Sequence, residues 1–231
     1  MSNWEYGGAY LALDMEGEIA LPNGSAVEVC DWTERMPGFM KQADTLFIDP
    51  PWNAGNVRSF YTKADIEHDA FDFAAFTETL WSRIDQIRPK TLFVEMGKEH
   101  LWRYLERAGA RYKYVTFYNS TYYGKRENKC YVIHATNDAK ARRYPELEDM
   151  DEARIIEWVC ANHRYSCIGD LCMGRGLVGR HAYLNGRRFV GTELNKKRLA
   201  VLVDFIAQAE RAKAPAPVPA PSRGEASHVA A

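Results

Sequence analysis

No C-x-x-C pair occurs among the five cysteines (30, 130, 160, 167 and 172), and their odd number fits no complete set of disulfides. The expectation is reduced thiols in a cytoplasmic protein, with no zinc site. The six histidines are scattered without an H-x-x-x-H pair, so no metal is assigned. No run approaches the length of a membrane span. The start, Met1-Ser2-Asn3-Trp4-Glu5, has neither the basic residues nor the apolar stretch of a signal peptide. An excess of one charge is missing too. The net charge is −1, so any affinity for nucleic acid must come from local patches. No internal repeat is present. What remains is a 231-residue chain, 46% hydrophobic and 26% charged, long enough for one α/β domain with a large core.

Residues 25–30 alternate like a strand that ends at Asp31, and 45–48 form an apolar run of strand length. Residues 53–68 read as a long polar loop, of the kind that serves as a lid or binding loop. Helical spacing follows over 70–88 through Phe73, Phe76, Leu80, Trp81, Ile84 and Ile87, and Pro89 stops it. Strands are predicted over 91–96, 112–118, 129–135, 166–171 and 188–192, with 119–128 as a loop between two of them. Helices are predicted over 98–108, over 150–163, after the glycine-rich turn beyond 171, and finally to about 212. This alternation predicts an α/β fold: a doubly wound, mostly parallel sheet with an antiparallel hairpin at one edge. The domain spans 25–212, after an N-terminal extension (1–24) that resists assignment. An Ala/Pro-rich tail (213–231) is expected to be extended and disordered.

Two motifs carry the chemistry. Asp49-Pro50-Pro51-Trp52 follows the apolar strand directly. Proline fixes φ, lacks an N–H and pushes its predecessor towards extended geometry, so the four residues form a rigid shelf. The shelf offers a carboxylate, a carbonyl and a flat ring, which together suit a planar amine: two acceptors and a stacking face. The second motif, Gly169-Asp170-Leu171-Cys172-Met173-Gly174-Arg175-Gly176-Leu177-Val178-Gly179, follows a strand and opens a helix. Glu193 ends the next strand, where a carboxylate suits a ribose diol. The glycines alone also fit a dinucleotide fingerprint, which keeps a nicotinamide or flavin enzyme in view. Against it, a single helix remains after Glu193, and Asp170 would repel a pyrophosphate while attracting a cationic ligand.

Together the motifs resemble the S-adenosylmethionine-dependent amino-methyltransferases, which methylate exocyclic amines of nucleobases. Asp49-Pro50-Pro51-Trp52 looks like their catalytic motif, in the tryptophan form shared by the messenger-RNA adenine methyltransferases and their bacterial and phage relatives. Asp170-x-Cys172-x-Gly174-x-Gly176 resembles the cofactor loop, Glu193 its ribose-binding acid, and Asn195 a further cofactor contact. Asp31 falls where the family often has an acid near the cofactor's adenine. The catalytic motif precedes the cofactor motif, as in the beta arrangement of bacterial DNA methyltransferases, where a residue like Asn53 is also common. The resemblance covers roughly residues 25–205. It implies methyl transfer to N6 of adenine in DNA, with the base flipped out, Asp49 and the Pro50 carbonyl gripping the amine and Trp52 stacking on the ring. It also implies S-adenosylmethionine as cofactor, and a possible homodimer. One departure is plain: residues 136–150 are too few for the family's usual target-recognition segment.

Each reading has a plainer competitor. The shelf could be an ordinary turn. Asp170 could be a surface acid, Glu193 a helix-cap partner and Asp31 an N-cap ahead of 32–36. Cys172 and Met173 could simply pack against the sheet. Six tyrosines lie among the basic residues of 111–131, and aromatics interleaved with bases suit single-stranded nucleic acid. In the strands they are expected to be packing, so Tyr122, Tyr123, Lys125 and Arg126 in the loop are the substrate candidates. Arg58 and Tyr61 in the long polar loop could cover a flipped base. RNA adenine or cytosine N4 as acceptor, and a non-catalytic subunit of a heterodimer, stay open as alternatives. Serine at position 49 is the commoner cytosine form, so Asp49 tilts towards adenine.

Overall fold

Period-two alternation in the short apolar runs sets the architecture. Leu46 and Ile48 face one core and Phe47 the other; Leu92 and Val94 against Phe93 repeat the pattern one strand away. The computed structural model describes residue 6 and residues 8–68 and 71–213. In chain order the elements are β1 (Glu18–Leu21), β2 (Ser25–Val29), β3 (Thr45–Ile48), α1 (Ala54–Lys63), α2 (Phe73–Ile87), β4 (Thr91–Met96) and α3 (Leu101–Gly109). Then come β5 (Tyr114–Tyr122), β6 (Lys125–Thr136), β7 (Met150–Asp151), α4 (Glu152–Asn162), β8 (Cys167–Asp170), α5 (Leu177–Leu184), β9 (Arg188–Glu193) and α6 (Lys196–Lys213).

The strands form one nine-stranded sheet in the order β1-β2-β9-β8-β3-β4-β6-β5-β7. The central run from β2 to β4 is parallel, and β6 pairs antiparallel with both β4 and β5. The expected doubly wound sheet with an antiparallel hairpin near one edge is what the chain adopts. Helices α2 and α3 cover one face and α4, α5 and α6 the other, so the central strands are buried on both sides. Part of the segment read as an N-terminal extension joins the sheet: β1 pairs antiparallel with β2. The tail beyond Lys213 lies outside the described residues.

Two expectations are corrected. Residues 53–68 are no loop, because 54–63 form α1. Asn53 caps it, its side chain accepting the Asn56 N–H at 2.9 Å. Gly, Asn, Ser and Thr give α1 poor intrinsic propensity, and Val57 is its one buried residue, so periodicity could not reveal it. Residues 119–128 are not a loop either. The strands extend to Tyr122 and from Lys125, joined by the two-residue turn Tyr123-Gly124. Both turn residues have positive φ (58° and 64°), as a tight hairpin needs; a tyrosine there gives little warning.

Behind the sheet lies a buried polar cluster. The His134 ring stacks on Phe93 at 4.4 Å, and its Nδ1 is 3.0 Å from the Tyr118 hydroxyl. His163 joins the hydroxyls of Tyr144 (2.7 Å) and Thr45 (3.2 Å). Burial lowers His134 to about 3 and His163 to about 4, so both rings are neutral at pH 7.

Candidate active site

β8 leads through α5 to β9 on one side, while β3 leads through α1 and α2 to β4 on the other. Connections that part in this way leave a crevice at the carboxyl ends of the two strands, the usual ligand position in open α/β sheets. A cleft of about 460 Å³ opens there. Successive strand ends each deliver an acid to it: Asp31 beyond β2, Glu193 at the end of β9, Asp170 at the end of β8, Asp49 just after β3 and Glu95 in β4. Asp49 and Gly174, remote along the chain, both line this one cleft.

The shelf holds Asp49 from its own far end. The Trp52 indole Nε1 donates to Asp49 Oδ1 at 2.9 Å, and the Trp52 amide donates to Asn56 of α1 at 3.3 Å. Gly97 makes room for the indole, since a Cβ there would stand 2.7 Å from Trp52 Cε3. The indole meets Tyr122 edge-on at 5.4 Å, and Tyr122 meets Tyr123 at 4.1 Å, so the hairpin tip forms an aromatic wall. Pro50, Trp52, Asn53 and Gly176 lie behind this lining: the first three build the shelf and cap α1, and Gly176 caps α5.

Across the cleft, Glu193 clamps the glycine loop. Its two oxygens accept the Gly174 N–H (2.6 Å) and the Asn195 N–H (3.0 Å). Gly174, which lines the cleft, has a φ of 55°, and among the described residues nothing beyond its chain neighbours lies within 4 Å of the Cβ it lacks, so its backbone is open to approach. Asp170 accepts the Cys172 N–H at 2.9 Å. Both acids are buried, which disposes of the surface-acid reading of Asp170. Asp31 accepts from Thr33 and from the Tyr61 hydroxyl, and a turn, not a helix, follows it. Cys172 lines the cleft and also packs against the core.

Several candidates lie away from the cleft. Asn195 ties α6 to the end of α1, donating to the Lys63 carbonyl at 2.7 Å and accepting the Lys197 N–H. Arg58 is exposed on α1, and Lys125 and Arg126 are exposed at the start of β6. In return the cleft recruits residues not singled out from the sequence: Trp32, Asn56, Phe60, Glu95, Glu152 and Arg198. Glu95 could have been noticed, because an acid inside an otherwise apolar strand run needs a reason. Arg198 gave no such signal, being the last of three basic residues in a row.

Burial governs the charges. It raises Asp49 to about 7, opposed by the Trp52 hydrogen bond and the Arg198 charge. It also raises Asp170 well above the ordinary range, with Asp49 and Glu193 adding to the effect, and raises Glu193 against its backbone hydrogen bonds. A crowd of desolvated carboxyls favours a cationic ligand, whose charge would let them ionise.

No protein-family model matches the sequence, and no curated protein matches it. Solved structures do share its fold. M1.HpyAVI, alone and as its SAM complex, superposes with a TM-score of 0.53 at 14% identity, covering 78% of this chain and 97% of that one. A putative DNA modification methylase from Thermus thermophilus, complexed with S-adenosyl-L-methionine, gives 0.54 at 12% identity over 82% of this chain and 94% of that one. The fold of this chain is therefore that of these proteins. Among the described residues no helix is long and apolar enough to cross a membrane.

Proposed function

We propose that the protein transfers a methyl group from S-adenosylmethionine to the exocyclic N6 amine of adenine in DNA, the base being flipped into the cleft. The observation that carries this reading is the meeting of Asp49, steadied by Trp52, with Asp170, Gly174 and Glu193 in one cleft. The fold shared with proteins crystallised with S-adenosylmethionine supports it.

The residues fit the cofactor chemically. Asp170 would face its cationic amino-acid end, the bare Gly174 backbone would let it approach, and Glu193 would hold the ribose diol. Each Glu193 oxygen has a lone pair beyond the one its backbone partner uses. When bound, S-adenosylmethionine supplies a methyl group on a sulfonium, so that an N–C bond can form while the C–S bond breaks and its electron pair stays on sulfur.

An aromatic amine attacks poorly, because its lone pair is delocalised into the ring. Asp49 and the Pro50 carbonyl, accepting the two N–H bonds, favour the pyramidal nitrogen that exists only in the transition state. Trp52 occupies one Asp49 oxygen and leaves Oδ2 for the amine. The proton released as nitrogen gains its methyl passes to Asp49 and on to water; a carboxyl raised to about 7 can take it and return it.

The test is transfer of labelled methyl from S-adenosylmethionine to single- and double-stranded DNA and RNA, followed by nucleoside analysis. N6-methyldeoxyadenosine is the expected product. Label in N4-methylcytosine or in RNA would move the acceptor, and no transfer to any of them would overturn the reading.

A further inference from the structure

All six residues of β4 are buried, and one of them is Glu95. It is 1% exposed and lines the cleft, yet its Oε1 has no hydrogen-bond partner among the described residues. Glu152, in the first turn of α4, lines the same cleft, and its Oε2 is likewise buried and unpartnered. Buried polar atoms are almost always satisfied, so two orphaned oxygens on residues that line one cleft point to a ligand that satisfies them.

The surroundings decide what that ligand offers. Facing Glu95 are Asp49 from the turn after β3, Cys130 of β6, Tyr122 of β5, and Asp151 and Glu152 at the head of α4. Burial first, then the charges of Asp49, Glu152 and Asp151, raises Glu95 well above the ordinary carboxyl range. Burial and then Asp151 raise Glu152 to about 7. Carboxyls this close in a dry site cannot all ionise, and one that keeps its proton is a donor as well as an acceptor.

We propose that Glu95, backed by Glu152, reads the ring nitrogen next to the target amine, donating its carboxyl O–H to that nitrogen while Asp49 accepts from the amine. This rests on the proposed function and narrows its substrate. On the Watson–Crick edge, by which a flipped base is read, adenine N1 and cytosine N3 are acceptors beside the amine, whereas guanine has N1–H there and its acceptor beside the amine, N3, lies on the sugar side. Glu95 thus admits the two bases with an acceptor on that edge and rejects guanine.

The experiment is equilibrium binding of short oligothymidines with one central adenine, cytosine, 1-deazaadenine, 3-deazacytosine or guanine, to wild type, Glu95→Leu and Glu95→Gln. Wild type should bind adenine or cytosine at least about tenfold tighter than the matching deaza base and than guanine. Glu95→Leu should lose the discrimination, while Glu95→Gln, which still offers an N–H, should keep most of it. Should Glu95→Leu fail to fold, Glu95→Gln still decides through pH. Wild-type discrimination should fade as pH rises and Glu95 loses its proton, and that of Glu95→Gln should not. Equal binding of natural and deaza bases by wild type, or equal discrimination in Glu95→Leu, would overturn the proposal. Because the readout is binding, discrimination without methyl transfer would count against the catalytic reading alone.

Discussion

The indole of Trp52 donates to Asp49 Oδ1 at 2.9 Å, so the ring of the Asp-Pro-Pro-Trp shelf also steers its carboxylate. The ring sits behind the cleft lining, against this carboxylate and edge-on to Tyr122. This hydrogen bond favours the ionised form of Asp49, working against burial.

Trp52→Phe keeps a ring and removes the donor. Without that bond Asp49 should titrate higher, and activity, which needs the carboxylate, should set in at higher pH. Measured kcat/KM against pH should show its rising limb displaced upward, with a loss of roughly tenfold at neutral pH. An unmoved limb would mean that Trp52 acts on the base alone.

Gly97→Ala probes the same indole from behind. The new Cβ would stand 2.7 Å from Trp52 Cε3, so the ring must shift or the end of β4 must give way. We expect a stability loss of about 1–3 kcal/mol by denaturant titration, with turnover falling more than cofactor affinity.

Asp170→Asn should trade binding for stability. The folded-state pKa of Asp170 is raised, chiefly by burial, so the native protein keeps a proton that the unfolded chain sheds. Its penalty is absent below the unfolded pKa of about 4 and grows as pH rises above it. The variant should therefore melt close to wild type at pH 4 and above it at pH 8, while binding S-adenosylmethionine more weakly. Lower stability at every pH would mark Asp170 as a structural acid.

The central strands and most of the helices were legible because apolar alternation and proline stops report burial directly. α1 was not, since nearly all of it is exposed or half-buried and its cap, Asn53, looks like a loop residue. The hairpin was read too short because its turn uses Tyr123, where φ is 58°. Motif spacing located Asp49, Asp170, Gly174 and Glu193. Glu95, Glu152 and Arg198 come to the cleft from separate elements, and proximity of that kind leaves no trace along the chain.

His134→Phe tests the polar cluster behind the sheet. His134 stacks on Phe93, its Nε2 is buried without a hydrogen-bond partner among the described residues, and its pKa is lowered by burial to about 3. The unfolded chain takes up that proton below about 6.5, so stability is full above this value and declines as pH falls towards the folded pKa. Phenylalanine keeps the stack and cannot titrate. The melting temperature of the variant should fall less than that of wild type between pH 7 and about pH 4.

Asp49→Ala is the most direct test of the whole account, read by paired measurements of S-adenosylmethionine binding and labelled methyl transfer to DNA. We predict that cofactor affinity is largely kept and that transfer is abolished. A variant that still methylates DNA would contradict the assignment of Asp49 as the residue that grips the amine.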